Sequence, residues 1–535
     1  MVRFARFILI VCACLALFPL YTRYKVAAAP IPPGVHLGGL ALSDLKARDE
    51  IRRHLEEVYS RPIDVRFDDK RLVLLPEAVD FQVDVDQMIA EAEQYLEGAA
   101  FLDIAVREAL GFAQQRRDVP VRFMLNGDKL RAWLAEVAAT HDHPPAPARL
   151  LPPALRWSDG GVVATGLPAG YVGAYQRDWS WLPGRPGQTL DVDAAVPVIV
   201  AAFISPDKRL ARLPLIETDA PLPTLDDLAR ELDAYLMNFP GFGAVYVHDL
   251  MTGATAEVDA DVSFSGMSTL KIGIVAAIMA RLPNGIDPDD AQAKLVGQWI
   301  DYALGESNNY AANQLLAYLG DGSSETGAAR FTAFMRELGM QSTYMQTGYD
   351  ARVQRPQIPT PGNQRTDWQT NPDSNLQTTP AEIGRTLAAI YECSQGRGLL
   401  LEVMPDRMTP DECHTILFYL SHDEFQEMIW GGLPRPDSTW IVHKHGFAYE
   451  SHSDVALVWG PTGPYVMSVF LFRRGWMDWA TSNSTMKTLS RITWNFFEFQ
   501  REQQGLTTPD YFILQPPPGY IKLHDYIPRA STGYQ

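Results

Sequence analysis

The chain has 535 residues, of which 46% are hydrophobic, 21% charged and 10% aromatic, and a net charge of −18. That length exceeds one ordinary core and calls for two or three domains. So acidic a surface repels nucleic acid and anionic lipid, which argues against both as partners.

At the N-terminus Arg3 and Arg6 precede the apolar run "FILIVCACLALFPLYT", and Arg23, Lys25 and "AAAP" follow it. The pattern is that of a secretory signal or an uncleaved N-terminal anchor over residues 1–30. It predicts an extracytoplasmic protein, either secreted or held on the outer face of the cytoplasmic membrane. Cys12 and Cys14 lie inside this run, which leaves Cys393 and Cys413. In an exported chain those two are a candidate disulfide, the alternative being two buried thiols.

An α+β region follows. Ser43 reads as a helix N-cap, with Leu45, Ile51, Leu55 and Val58 on one helical face. Strands are expected at Ile63–Phe67 and Leu72–Leu75, then a strand running into a helix over Phe81–Leu96. An apolar residue, Asp, Val and Asp precede a helical stretch twice, at Val83–Asp86 and Leu190–Asp193. This internal similarity suggests two copies of one small unit. Between them "THDHPPAPARLLPP" reads as a loop, in which His141 and His143 are solvated side chains rather than metal ligands.

The stretches "GVHLGGLALSD" (34–44) and "GYVGAYQRD…GQTLDVDAA" (170–195) resemble a peptidoglycan-binding type of repeat found in cell-surface proteins. The resemblance covers 34–216 and implies cell-wall peptidoglycan as a partner. No side chain there can be assigned to ligand.

"LPLIETDAPLPTLDDLARELDAYLMNF" (213–239) bridges into a second architecture. "GAVYVHDLMTGATAEVDAD" reads as a hairpin turning at Met251–Gly253. Helices are expected from Ser268 to about Leu420, then strands at Thr439–His443, Val455–Trp459 and Tyr465–Phe472, and a closing helix near Trp479–Phe499. The fold class is therefore α+β, with an antiparallel five-stranded sheet packed by helices over 240–500. The tail 501–535 is rich in Pro and Tyr and irregular.

Three short motifs in this region carry chemistry. "GMSTLKIG" (266–273) sets Ser268 three residues before Lys271, so both lie on one helical face. "GESNNYAANQLL" (305–316) holds Ser307 and Asn309, and "VHKHGF" (442–447) holds Lys444, His445, Gly446 and Phe447. A serine hydroxyl attacks only when a neighbour takes its proton. A buried lysine near a second cation favours its neutral form and can be that neighbour. Taken alone, Ser268 or Ser307 could be a helix cap and Lys444 a solvated edge-strand lysine.

In this order and spacing the motifs resemble the active site of class A β-lactamases and penicillin-binding D,D-peptidases. The resemblance implies Ser268 as nucleophile and Lys271 as base, with Ser307 as the proton relay to the leaving nitrogen. Asn309 would bind the substrate amide, Lys444 and His445 its carboxylate. The N–H groups of Ser268 and Phe447 would form an oxyanion hole, and Gly446 leaves room for substrate. No metal or organic cofactor is implied. The second motif lacks its usual middle carboxylate. The third has His445 in place of a hydroxyl, and His445 would donate best when protonated.

Class A enzymes also carry a glutamate that positions the hydrolytic water. Counting back from Pro380 places Asn363 there, and no Glu occurs from Ala351 to Ala381. Asp367 and Asp373 are the expected stand-ins. The combined reading is an exported serine hydrolase that opens β-lactam rings. The alternatives are a D,D-peptidase acting on peptidoglycan stem peptides and a wall-binding protein with a decayed site.

Overall fold

The computed structural model describes residues 30–153, 156–158, 161–163, 178–282, 285–287, 289–423, 425–434 and 440–507, together with 509, 514 and 516. The leader with Cys12 and Cys14, most of "GYVGAYQRD" and nearly all of the tail lie outside these residues. Among the described residues no helix is long and apolar enough to cross a membrane.

The chain divides into two compact units. The first holds the described residues up to Ala146 together with Arg185–Pro221, and the second Pro147–Gly184 together with everything from Leu222.

In the first unit the Ile63–Phe67 strand pairs antiparallel with Lys70–Leu74 and parallel with Leu210–Arg212. Strands distant in sequence thereby close one unit. The repeated Asp-Val-Asp motif makes the same local structure twice. Asp84 Oδ1 accepts from Gln87 N at 2.9 Å and caps helix Val85–Glu93. Asp191 Oδ1 accepts from Ala194 N at 2.9 Å and caps helix Val192–Phe203. The first helix starts later than expected, at Arg48, and Ser43 lies in the preceding turn. Ile51, Leu55 and Val58 are buried, as their spacing requires.

One boundary is corrected. Residues 147–184, read above as part of the repeat region, belong to the second unit. There Arg149–Leu151 pairs with Ser180–Leu182. The Trp181 ring lies 5.5 Å from that of Phe496 and is buried in that unit's core.

The second unit is built on a five-stranded antiparallel sheet. Its strands are β1 (Phe242–Asp249), β2 (Thr255–Val258), β3 (Ile441–Phe447), β4 (Ser451–Gly460) and β5 (Gly463–Phe472), in spatial order β2-β1-β5-β4-β3. Two early and three late strands form the sheet, as read from sequence, and β4 and β5 are buried throughout. Met467, Val469 and Leu471 point into one core, and Val466, Phe470 and Phe472 into the other. Burial on both faces explains why these strands read as continuous apolar runs.

Helices cover both faces. One side carries α1 (Lys271–Met279), α2 (Asn309–Leu319), α3 (Pro380–Ser394) and α4 (Pro410–Leu420); the other carries α5 (Trp479–Gln504). All nine residues of α1 are buried, so this helix runs through the core without a solvent face. Cys393 at the end of α3 and Cys413 in α4 are joined by a disulfide.

Candidate active site

The site forms where the head of α1, the start of α2 and the outer end of β3 meet. Ser268 sits in a 3-10 turn, Met267–Leu270, ahead of α1 and makes no capping hydrogen bond. The helix-cap reading of this serine is thereby removed. Met267 has φ 48°, a left-handed conformation that a long side chain rarely adopts. The Tyr349 hydroxyl donates to Met267 O at 3.0 Å and pins this turn.

Lys271 is wholly buried. Its Nζ donates to Ser268 Oγ at 3.0 Å, to Ser307 O at 2.5 Å and to Asn309 Oδ1 at 2.9 Å, with Ser307 Oγ at 3.4 Å. Nζ also lies 4.9 Å from the centre of the Tyr349 ring. Burial, then the Lys444 ammonium, lower the Lys271 pKa to about 7, against the opposing pull of Asp350 and Asp423. A lysine that is half neutral near physiological pH is a competent proton acceptor.

Ser307 and Asn309 reach Lys271 because the residue between them does a separate task. Asn308 Oδ1 accepts from Ala311 N at 3.0 Å and caps α2. Ser307, at φ 56°, turns back toward Lys271. The missing middle carboxylate of the motif is thus replaced by another capping side chain.

On β3, the edge strand, Gly446 is required by close approach. A Cβ there would stand 2.8 Å from Met267 Cβ and 3.2 Å from Ser268 N. The strand end therefore lies against the serine.

Lys444 differs from expectation. It is fully buried, and its Nζ donates to Asp423 Oδ2 at 2.9 Å. The same oxygen meets His445 Nδ1 at 2.9 Å. Burial alone would raise the Asp423 pKa, but Lys444 and the His443 and His445 imidazoles hold it well below the usual carboxylate range. His445 is depressed, first by burial, with Asp423 opposing. Its neutral form is therefore favoured. With Nδ1–H donated to Asp423, Nε2 then offers a lone pair, so the donor role expected of His445 requires protonation.

The loop carboxylates also differ from expectation. Asp367 is ion-paired with Arg365, which also binds Asp259 and Asp261. Asp373 Oδ1 accepts from Asn375 N at 2.8 Å and its own N–H donates to Ser265 Oγ. Asn363, at the counted-back position, braces the loop through Ile358 O and Gln377 Oε1. None of the three makes a hydrogen bond to Ser268, Lys271, Ser307 or Asn309 among the described residues. The carboxylate that does is Asp350, which receives Asn309 Nδ2 at 3.1 and 3.2 Å. It lies one residue before the stretch searched for glutamate. The signal that could have found it is "TGYD", a turn sequence ending in an acid. A fixed loop length hid it.

A family model described as the beta-lactamase enzyme family matches residues 227–291 and 289–497, half of the chain. The chain belongs to the beta-lactamase enzyme family. Membership carries hydrolase activity of the beta-lactamase type. Curated relatives include the beta-lactamases of Mycobacterium tuberculosis and Mycobacterium bovis. Each is 28% identical over 277 residues, covering 48% of this chain and 80% of the relative. Among solved structures, a beta-lactamase from Xanthomonas campestris is 19% identical, covering 51% of this chain and 98% of that one, with a TM-score of 0.40. One from Streptosporangium roseum is 21% identical, covering 52% and 98%, with a TM-score of 0.38.

Proposed function

We propose that this beta-lactamase family member is a serine hydrolase that opens β-lactam rings through an ester on Ser268. The observation that carries the reading is the wholly buried Lys271, with Nζ 3.0 Å from Ser268 Oγ and a pKa lowered to about 7.

Neutral Lys271 takes the Ser268 hydroxyl proton as Oγ bonds to the lactam carbonyl carbon. The N–H groups of Ser268 and Phe447 stabilise the resulting oxyanion. The C–N bond then breaks, and the ring nitrogen receives a proton through Ser307, resupplied from Lys271. Asn309 holds the substrate amide, and Lys444 and His445 bias the site toward a carboxylate. Since Asp423 already neutralises much of Lys444, a protonated His445 would supply the remaining positive charge. Deacylation is a second addition and elimination with water as the nucleophile. Water attacks the ester carbonyl carbon, Asp350 accepts its proton, and the C–O bond breaks as that proton is returned to the Ser268 oxygen. Asp350 takes the base role here in preference to Asp367 or Asp373, because it alone bonds into the group.

Intact-protein mass after mixing with a penicillin tests the reading. Wild type should gain one penicillin mass, and Ser268→Ala should gain none while staying folded. Equal labelling of the two would overturn the serine assignment. An adduct lasting for hours would favour a D,D-peptidase-like enzyme.

We further infer export and a wall-binding role for the first unit. The apolar leader and the Cys393–Cys413 disulfide support export, and the repeat-like motifs support wall binding. The full chain should co-sediment with isolated peptidoglycan at low salt, with or without Ser268. A chain that stays in the supernatant would remove the binding role.

A further inference from the structure

An aromatic pocket begins one residue beyond the Gly446–Ser268 approach. Phe447, Tyr449, His452, Trp476 and Trp479 line a cavity of about 530 Å³, with the buried Met477 also contributing to its wall. Phe447, Tyr449, Trp476 and Trp479 are 44%, 67%, 56% and 39% exposed. Four large aromatic rings left to water on one side of a folded unit require a reason.

The rings do not form a flat platform. Trp479 meets Phe447 at 5.6 Å and 63°, and Trp476 meets Tyr449 at 4.9 Å and 70°. His452 stands edge-on to Phe447 at 4.9 Å and 85°. This is a box with walls near right angles, the geometry in which an inserted ring finds both faces and edges. The box is continuous with the site, because the Phe447 ring lies 5.2 Å from that of His445.

No charged side chain lines the pocket. Of the charges nearby, Arg474 is exposed beside Glu450 and outside the lining, and others are committed elsewhere. Arg473 pairs with Asp478 at 2.9 Å, and Glu450 accepts from Asn371 Nδ2 at 2.8 Å and from Gly475 N. His452 Nδ1 lies 2.6 Å from Ser482 Oγ, and burial lowers its pKa to about 4, so it is neutral in use. A charged substituent would find no counter-charge in the lining itself. A sugar ring could stack here but would meet no carboxylate, amide or guanidinium side chain in the lining to fix its hydroxyls. An uncharged aromatic ring satisfies the lining.

We propose that this pocket is a specificity subsite for an uncharged aromatic ring carried on the side chain of the acylating substrate. The proposal rests on the acyl-transfer reading above and names the substrate class that the site prefers. Trp476 and Tyr449 are its specificity-determining residues. They lie outside the reacting group and contribute to binding one part of the substrate.

The full chain is tested with benzylpenicillin, whose side chain ends in a phenyl ring, and with 6-aminopenicillanic acid, which has no such side chain. Trp476→Ala and Tyr449→Ala should each lower the acylation rate constant for benzylpenicillin by about three- to tenfold, the usual worth of an aromatic contact. The rate constant for 6-aminopenicillanic acid should stay unchanged. An unchanged ratio between the two substrates in both variants overturns the proposal. A second measurement separates it from the acyl-transfer reading. Phenylacetamide alone should show saturation-transfer NMR signals with wild type that are lost with Trp476→Ala. If no β-lactam acylates the chain but these signals appear and depend on Trp476, the ring site stands and the acyl-transfer reading falls. Equal signals from wild type and Trp476→Ala overturn the ring site.

Discussion

The two units handle polar groups in opposite ways. Among the described residues the first unit fully buries apolar side chains, one tyrosine, glycine and proline but no charged group, and its ion pairs are exposed, as at Arg71–Asp64, or partly buried, as at Arg117–Asp103. The second buries Lys271, Lys444, Asp423, His443 and Asp454 completely or nearly so. A buried charge costs several kcal/mol unless it is paired and hydrogen-bonded. A chain tolerates that expense where the charge is used, so the contrast separates a unit with a purely uncharged core from one that buries the groups its chemistry would use.

The sharpest way to break this contrast is to remove the carboxylate beside Asn309. Asp350→Asn should slow deacylation by about 10²–10⁴-fold and let acyl-enzyme accumulate, while Asp367→Asn and Asp373→Asn change turnover little. Stopped-flow hydrolysis of a chromogenic cephalosporin reads all three. Rapid steady turnover by the Asp350 variant would place the base elsewhere.

Next in size is the paired charge beneath the strand. Asp423→Asn leaves Lys444 buried without its counter-charge and should cost about 3–5 kcal/mol in chemical denaturation. Arg71→Ala, at an exposed bidentate pair with Asp64 in the first unit, should cost no more than about 1 kcal/mol. Similar losses at the two positions would erase the distinction drawn between the units.

The smallest effect is in pH. Lys271 must be neutral to accept a proton, and its pKa is lowered to about 7. Acylation should therefore fall about tenfold per unit below pH 7 and level off above it. Protonation of His445 opposes that trend for carboxylate-bearing substrates, but only at more acid pH, since burial depresses its pKa. An acylation rate flat from pH 5 to 8 would exclude the lysine as base.

Much of the second unit could be read from its residues. The apolar runs of β4 and β5, the turn at Met251–Gly253 and the serine–lysine spacing depend on local pattern, and local pattern survives folding. What escaped depended on tertiary placement. Asp423 sits in "SHDEF" with nothing nearby to mark it as the partner of a strand lysine 21 residues later. Asp350 was missed because the loop between Met345 and Leu376 was counted at a fixed length. The stretch 147–184 was misassigned because a Pro-rich segment carries no periodicity to show which core it joins. The repeated Asp-Val-Asp motif was legible for the opposite reason, since a helix cap is decided within four residues.

That same stretch has a consequence for the order in which the chain can be made. Trp179 O accepts from Asn495 Nδ2, across 316 residues of sequence, and Trp181 waits for Phe496 on the same helix. At about 5–20 residues per second of synthesis, segment 147–184 is without that helix for roughly 15–60 s after it emerges. The first unit needs nothing later than Pro221 and can close meanwhile around the open excursion. Assembly of the second unit is thus paced by the helix Trp479–Gln504, and a chain cut short before residue 495 would leave the strand Ser180–Leu182 with its Trp181 uncovered, a ready target for proteases and chaperones.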